Sequence, residues 1–141
     1  MSIYADTSFF VSLYLTDQHT PEVERRRATE PILWLTPLHI AEWFHAVEQH
    51  VFRKALSRNE ADRLIDRFAR HRSEGLWTEV ALPVLAFELC TQLARRQVAR
   101  IGGRTLDTLH VACALELKAE RFWTFDERQA KMAQAEGLRT G

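Results

Sequence analysis

The chain has 141 residues, 46% of them hydrophobic and 27% charged, the size and composition of one folded domain with a core of its own. Lys and Arg number 19 and Asp and Glu also 19, so no global positive field draws the chain onto nucleic acid, and any such attraction must be local. With only 5 Gly and 4 Pro, and no apolar run of the ~18 residues that span a bilayer, the composition argues against a long disordered linker and against a transmembrane helix.

Ile3 to Asp6 reads as a short apolar strand that begins almost at once. It has neither the basic region nor the cleavage site of a secretory leader, so the expected location is cytoplasmic. A helix rich in Ser, Phe, Val and Leu follows through about Leu15. Thr20-Pro21-Glu22 then reads as an N-cap, a proline at the first helical position and an acid in the first turn. Pro31 to Leu35 is the second strand, and Thr36-Pro37 opens a helix on which Ile40, Phe44, Val47 and Val51 recur at helical spacing. Ser57 followed by Glu60 is a capping box for a charged helix ending near Ser73.

Leu76 to Leu82 is a weaker strand. Pro83 begins the next helix, with Leu85, Leu89 and Leu93 on one stripe and Gly102-Gly103 at its end. Thr105 caps a nearly all-apolar helix through Leu117, the pattern of a buried helix. Phe122 to Thr124 is a short strand, Asp126 opens the last helix, and Leu138 to Thr140 forms a fifth strand only if it pairs with a sheet edge. Cys90 and Cys113 fall in apolar helical patterns without CxxC spacing, so reduced, buried thiols are expected rather than a disulfide or a zinc site.

Strands alternating with helices imply right-handed crossovers and a mostly parallel sheet covered on both faces, hence one α/β domain over residues 1–141. Ligands in such sheets bind beyond the carboxyl ends of the strands, near a switch in strand order. Asp6 ends the first strand, Glu42 lies in the second turn after the second strand, Asp107 is in the first turn of a helix, and Asp126 follows the strand at Phe122. All four therefore belong to one edge, where Ser8 and Thr124 add hydroxyls. Clustered carboxylates repel unless protonated or neutralised by a cation, and hard oxygen donors select Mg²⁺ or Mn²⁺ over zinc. Each acid also has a structural reading: Asp6 and Asp126 as helix caps (Asp126 with Gln129 as a capping box) and Asp107 as a first-turn acid favoured by the helix dipole. Glu42, set before Trp43-Phe44 in an apolar helix, is the hardest to explain without a partner.

Tyr4-Ala5-Asp6-Thr7-Ser8, Ile40-Ala41-Glu42, Leu106-Asp107-Thr108-Leu109-His110-Val111-Ala112 and Trp123-Thr124-Phe125-Asp126 resemble, in order and spacing, the acidic motifs of PIN-domain nucleases. The chain is most similar to the single-domain toxins of VapBC-type toxin–antitoxin modules. The resemblance implies a three-layer α/β/α domain with a five-stranded parallel sheet (at least four strands follow from the pattern). It also implies a Mg²⁺- or Mn²⁺-dependent endoribonuclease with Asp6, Glu42, Asp107 and Asp126 as the acidic site and Ser8 and Thr124 in support. Asp6 and Asp107 are the expected direct metal ligands. The implied partners are an RNA substrate, a cognate antitoxin and a second copy in a homodimer, with no membrane. A catalytically idle PIN-like module that binds a partner, or a PIN nuclease outside a toxin–antitoxin system, are the alternative functions.

Other constellations are weaker. Glu42-x-x-His45 has di-iron spacing, but no second such pair is present. His110, one turn beyond Asp107, reads as a satisfied core histidine ahead of a site residue. Arg95, Arg96, Arg100 and Arg104 gather before Asp107, equally suited to RNA phosphates or to a solvated helix end. Arg25-Arg26-Arg27 reads as a solvated face, and Trp34, Trp43, Trp77 and Trp123 as core or partner surface.

Overall fold

Tyr4 lies on the opposite side of its strand from Ile3 and Ala5, and this period-two alternation organises the whole molecule. In the computed structural model, which describes residues 1–141, Ser2–Ala5 (β1) is the central strand. Thr7–Tyr14 (α1) and Thr20–Arg27 (α2) lead to Ile32–Leu35 (β2). Pro37–Phe52 (α3) and Arg58–Ser73 (α4) lead to Thr78–Glu79 (β3). Ala86–Leu93 (α5) continues through a π-helical turn, Ala94–Val98, into Ala99–Ile101 (α6). Thr105–Glu116 (α7), Arg121–Trp123 (β4), Glu127–Ala135 (α8) and Arg139–Thr140 (β5) complete the chain. No helix is long and apolar enough to cross a membrane.

The sheet has five strands in the order β3-β2-β1-β4-β5, and every pairing is parallel. The chain steps outward from β1 to β2 to β3, then returns to the other side of β1 as β4 and β5. Right-handed crossovers therefore place the two sets of helices on opposite faces. Ile3, Ala5, Leu33, Leu35 and Trp123 point toward α1 to α4, where they meet Phe9, Phe10, Tyr14, Trp43, Val47 and Phe68. Tyr4 and Phe122 point the other way, toward Cys90 and Leu93 of α5, Leu109 to Ala114 of α7 and Met132 and Ala133 of α8. The result is a three-layer α/β/α domain, and its strand-order switch lies between β1 and β4.

Several local expectations shift. The Ser57–Glu60 capping box forms in both directions, at 3.0 and 3.1 Å. Thr20, read as an N-cap, is instead the first residue of α2. Its hydroxyl donates to the Ser12 carbonyl (2.6 Å) and accepts the Asp17 N–H (2.9 Å), tying the loop to α1. Thr105 likewise starts α7 without capping it, since Arg104 holds the N-cap position and no side chain caps the helix. The strand read over Leu76 to Leu82 is only the Thr78–Glu79 pairing, and the helix read from Pro83 begins at Ala86 after a turn. Leu138 to Thr140 does supply an edge strand, pairing Arg139 and Thr140 with β4. Both cysteines are free and buried.

Candidate acidic site at the carboxyl edge of the sheet

Asp6 leaves the sheet directly at the switch point, its N–H still bonded to the Trp123 carbonyl of β4 (2.8 Å). It caps α1: Oδ2 accepts from the Ser8 N–H at 3.3 Å and from the Ser8 hydroxyl at 2.7 Å. Oδ1 faces inward, accepting from Gln129 Nε2 (3.3 Å) with His110 Nε2 at 3.7 Å. Ser8 thus serves the orientation of Asp6.

Glu42 reaches the same edge from α3. Its helix begins with a box in which Thr36 caps His39 and the Thr36 N–H donates to His39 Nδ1 (3.0 Å). With Nδ1 accepting, Nε2 carries the proton and donates to the Ala5 carbonyl (2.8 Å), locking α3 to the end of β1. Burial, with the neighbouring His110 ring, pushes His39 down to about 3, so this bond is made by a neutral imidazole. One turn on, Glu42 Oε1 accepts from the Thr7 hydroxyl (2.7 Å) and from His110 Nε2. The Tyr4 hydroxyl donates to His110 Nδ1 at 2.7 Å, the tautomer that satisfies every group in the chain from Tyr4 through His110 to Glu42. Burial acts to raise the Glu42 carboxyl, but the donors His110 and Thr7 outweigh it and hold the group below its ordinary value. His110 is fully buried and also touches the site, so the two readings of it coincide.

Asp107, in the first turn of α7, is half-buried, and Arg104 Nε stands 3.4 Å from its Oδ2. Burial and then the charge of Asp6 raise its carboxyl above the usual range, with Asp126 adding to the rise against the pull of Arg104. Asp107 therefore lies within the fields of both Asp6 and Asp126. Asp126 is exposed and caps α8 by accepting the Gln129 N–H (3.0 Å). Only half of the expected capping box forms, because the Gln129 side chain turns inward to Asp6 and to the Asp107 carbonyl (3.1 Å). Thr124 accepts the Asp126 N–H (3.0 Å) and donates to Gln129 Oε1 (2.6 Å).

A cleft of about 460 Å³ opens beside these groups, bordered by Gly102, Gly103, Arg104, Asp107, Asp126 and Arg128 among others. Positive φ at Gly102 (83°) and Gly103 (130°) is what ends α6 and turns the chain along this cleft. Of the four arginines singled out in the sequence, only Arg104 borders it. Arg96 is paired with Glu136 (2.7 Å), Arg100 bonds Gln97, and Arg95 lies with Arg104 on a separate cleft behind Gly103. Arg128 was not singled out, yet its guanidinium lies against Gly102 at the cleft.

As the side chains stand, no three carboxylate, imidazole or thiol groups converge closely enough to hold a metal ion between them. Each acid is instead engaged by protein: Asp6 by Ser8 and Gln129, Glu42 by Thr7 and His110, Asp107 by Arg104, Asp126 by Gln129. The donor chemistry nonetheless fits a hard cation. Mg²⁺ keeps several waters and takes one or two carboxylates directly, and the charge of Asp6, second to burial among the causes that raise the Asp107 carboxyl, is one that a cation would offset. Thr7, His110, Gln129 and Arg128 are the polar contributors that motif spacing alone does not single out for the site. His110 is the one that carried a signal, an imidazole one turn beyond Asp107 in an apolar helix.

A doubly wound parallel sheet with an acidic edge at its switch point defines the class of protein. The sequence matches the PIN domain family over residues 3–135, and the chain belongs to that family. Solved structures of the same architecture include VapC20 of Mycobacterium tuberculosis, a sarcin-ricin loop cleaving toxin. It is 17% identical with a TM-score of 0.70, over 97% of this chain and 96% of that one. VapBC2 of Rickettsia felis, bound to a DNA fragment from its promoter, is 14% identical with a TM-score of 0.66, over 100% and 98% of the two chains. FitAcB of Neisseria gonorrhoeae is 17% identical with a TM-score of 0.68, over 98% and 95%. At these identities the likeness is one of fold. No curated protein sequence matches the chain.

Proposed function

We propose that this PIN domain is a Mg²⁺- or Mn²⁺-dependent endoribonuclease acting in the cytoplasm as the toxin of a type II toxin–antitoxin module, as a homodimer restrained by a cognate antitoxin. The observation that supports the reading is that Asp6 and Asp126 follow β1 and β4 beside the switch point, with Asp107 raised by burial and by the charge of Asp6, while Glu42 meets His110 alongside Asp6. The RNA substrate and the antitoxin are supported by the fold shared with VapC20, a sarcin-ricin loop cleaving toxin, and with VapBC2.

Asp6 and Asp107 would hold the cation. When bound, a divalent cation at such a site neutralises phosphate charge and makes a water more acidic, the chemistry that phosphodiester hydrolysis needs. Glu42, held below its ordinary value and fixed at Oε1 by Thr7 and His110, borders not this cleft but the neighbouring hollow between α3 and Leu106, and would act as a proton acceptor from that side. Asp126, exposed at the mouth, would orient water there. Ser8 fixes Asp6, Thr124 fixes the turn before Asp126, and Arg104 and Arg128 supply the local positive charge that a neutral chain needs to receive a polyanion.

The test is cleavage of RNA by the purified chain in Mg²⁺ or Mn²⁺, in EDTA, and as the Asp6→Asn and Asp107→Asn variants. Cleavage is expected only with metal and all acids intact; equal cleavage in every sample would contradict the reading. A second reading, a catalytically idle module that binds a partner, is favoured by the acids being engaged by protein groups with no three of them converging. Absence of Mn²⁺ binding together with a tight heteromer would select it. A small reading frame just upstream would favour the toxin over a PIN nuclease outside such a module.

A further inference from the structure

Gln129 is 3% exposed, and its amide touches three separate elements of the acidic edge. Nε2 donates to Asp6 Oδ1 at 3.3 Å, after β1, and to the Asp107 carbonyl at 3.1 Å, in the first turn of α7. Oε1 accepts from the Thr124 hydroxyl at 2.6 Å, between β4 and α8. The orientation of the amide follows from its partners. The groups on the Asp6 side are both acceptors, so only an NH₂ satisfies them, while the Thr124 hydroxyl is free to donate because its oxygen already takes the Asp126 N–H. Both amide protons and the amide oxygen are thereby used, in a place where an unpaired polar group is costly.

The two oxygens of Asp6 are held differently. Oδ2 is fixed by Ser8 on its own helix, whereas Oδ1 has Gln129 as its hydrogen-bond donor. Capping of α8 does not need this side chain, since the Gln129 backbone N–H makes the bond to Asp126. We infer that Gln129 is a positioning residue: its amide aims Asp6 Oδ1 and sets Asp6 against the first turn that carries Asp107, and so governs how tightly the pair holds a divalent cation. This rests on the metal-dependent reading above. The support of a ligating carboxylate by an outer hydrogen bond is worth about 10–100-fold in metal affinity where it has been removed.

The experiment is calorimetric titration of Mn²⁺ into the full chain as wild type, Gln129→Met, Thr124→Val and Asp6→Asn, with thermal unfolding of each in EDTA. Gln129→Met keeps the length of the side chain and removes both donors; Thr124→Val leaves Gln129 in place and removes the hydroxyl that orients it together with the acceptor of the Asp126 N–H, so Asp126→Asn is titrated beside it to separate the two losses. Asp6→Asn is expected to abolish binding, Gln129→Met to weaken it at least about 10-fold, and Thr124→Val to weaken it less, with the backbone cap of α8 retained in each. Should Gln129→Met fail to fold, weakened binding in folded Thr124→Val still supports the assignment. Mn²⁺ affinity within twofold of wild type in the folded variants, while Asp6→Asn loses binding, would overturn the role of Gln129 and leave the metal reading standing. Absence of Mn²⁺ binding by the wild type would overturn both.

Discussion

The aromatic layer between α1, α3 and α4 and the polar side chains behind the acidic edge are both buried, but different forces hold them. In the layer, Trp43 stacks on Phe68 with centroids 4.1 Å apart and meets Tyr14 edge-on at 5.4 Å, and Phe10 meets Trp77 edge-on at 5.3 Å. Its stability comes from apolar area and ring contacts, which tolerate small shifts. At the edge, Tyr4, His39, His110 and Gln129 are equally buried, yet each is held by directional bonds that leave almost no slack. The layer makes the fold stable; the edge gives up some of that stability to hold carboxylates where like charges oppose one another.

Trp43→Ala should give the largest effect. The ring is fully buried, and its removal is expected to cost about 3–5 kcal/mol in chemical denaturation. A loss under about 1 kcal/mol would mean that the layer does not bear the stability assigned to it.

Acid should break the edge before the layer. His39 sits near 3 in the folded chain, below its ordinary value of 6.5, so between these pH values the unfolded chain binds a proton that the folded chain does not. This contribution to stability is full above about pH 6.5, falls as the pH drops, and is lost by about pH 3, amounting to on the order of 5 kcal/mol. His39→Gln retains an amide for the Ala5 carbonyl and should flatten the stability profile over that window; an unchanged slope would remove His39 as its source.

His110→Ala leaves Tyr4 and Thr7 short of partners and Glu42 short of a donor. We expect a loss of about 2–3 kcal/mol and a rise in the Glu42 carboxyl, read from denaturation midpoints and from its titration by NMR. A smaller change is expected at the mouth. Arg104→Ala and Arg128→Ala should each lower the salt slope of single-stranded RNA binding by about 1 without altering the melting temperature. No change in slope would detach that cleft from RNA.

The same contrast governs what could be read from the sequence. The alternation of strands with helices is legible because apolar runs and helical spacing are local signals, as is the Ser57–Glu60 box, but the stripe Ile40, Phe44, Val47 and Val51 shares only Val47 with the fully buried face of α3, which is His39, Trp43 and Val47. The positions of Asp6, Asp107 and Asp126 relative to strand ends followed from topology. Tertiary competition for a side chain was not legible. Asp126 with Gln129 spells a capping box, yet the amide goes to Asp6 and to Asp107, 123 and 22 residues away in sequence. Thr20 spells an N-cap, yet its hydroxyl closes a loop on Ser12. The helix runs on through a π-helical turn at Ala94–Val98 to Ile101, leaving Arg96 on it and turned to Glu136, while Arg104 stands at the cleft beyond the Gly102-Gly103 turn.

Whether the acidic edge cuts RNA is decided by inducing the chain and its Asp6→Asn variant in cells and mapping newly formed RNA ends. Discrete new ends are expected with the wild type and none with Asp6→Asn expressed to the same level. The same ends from both, or none from either, would contradict the proposed function.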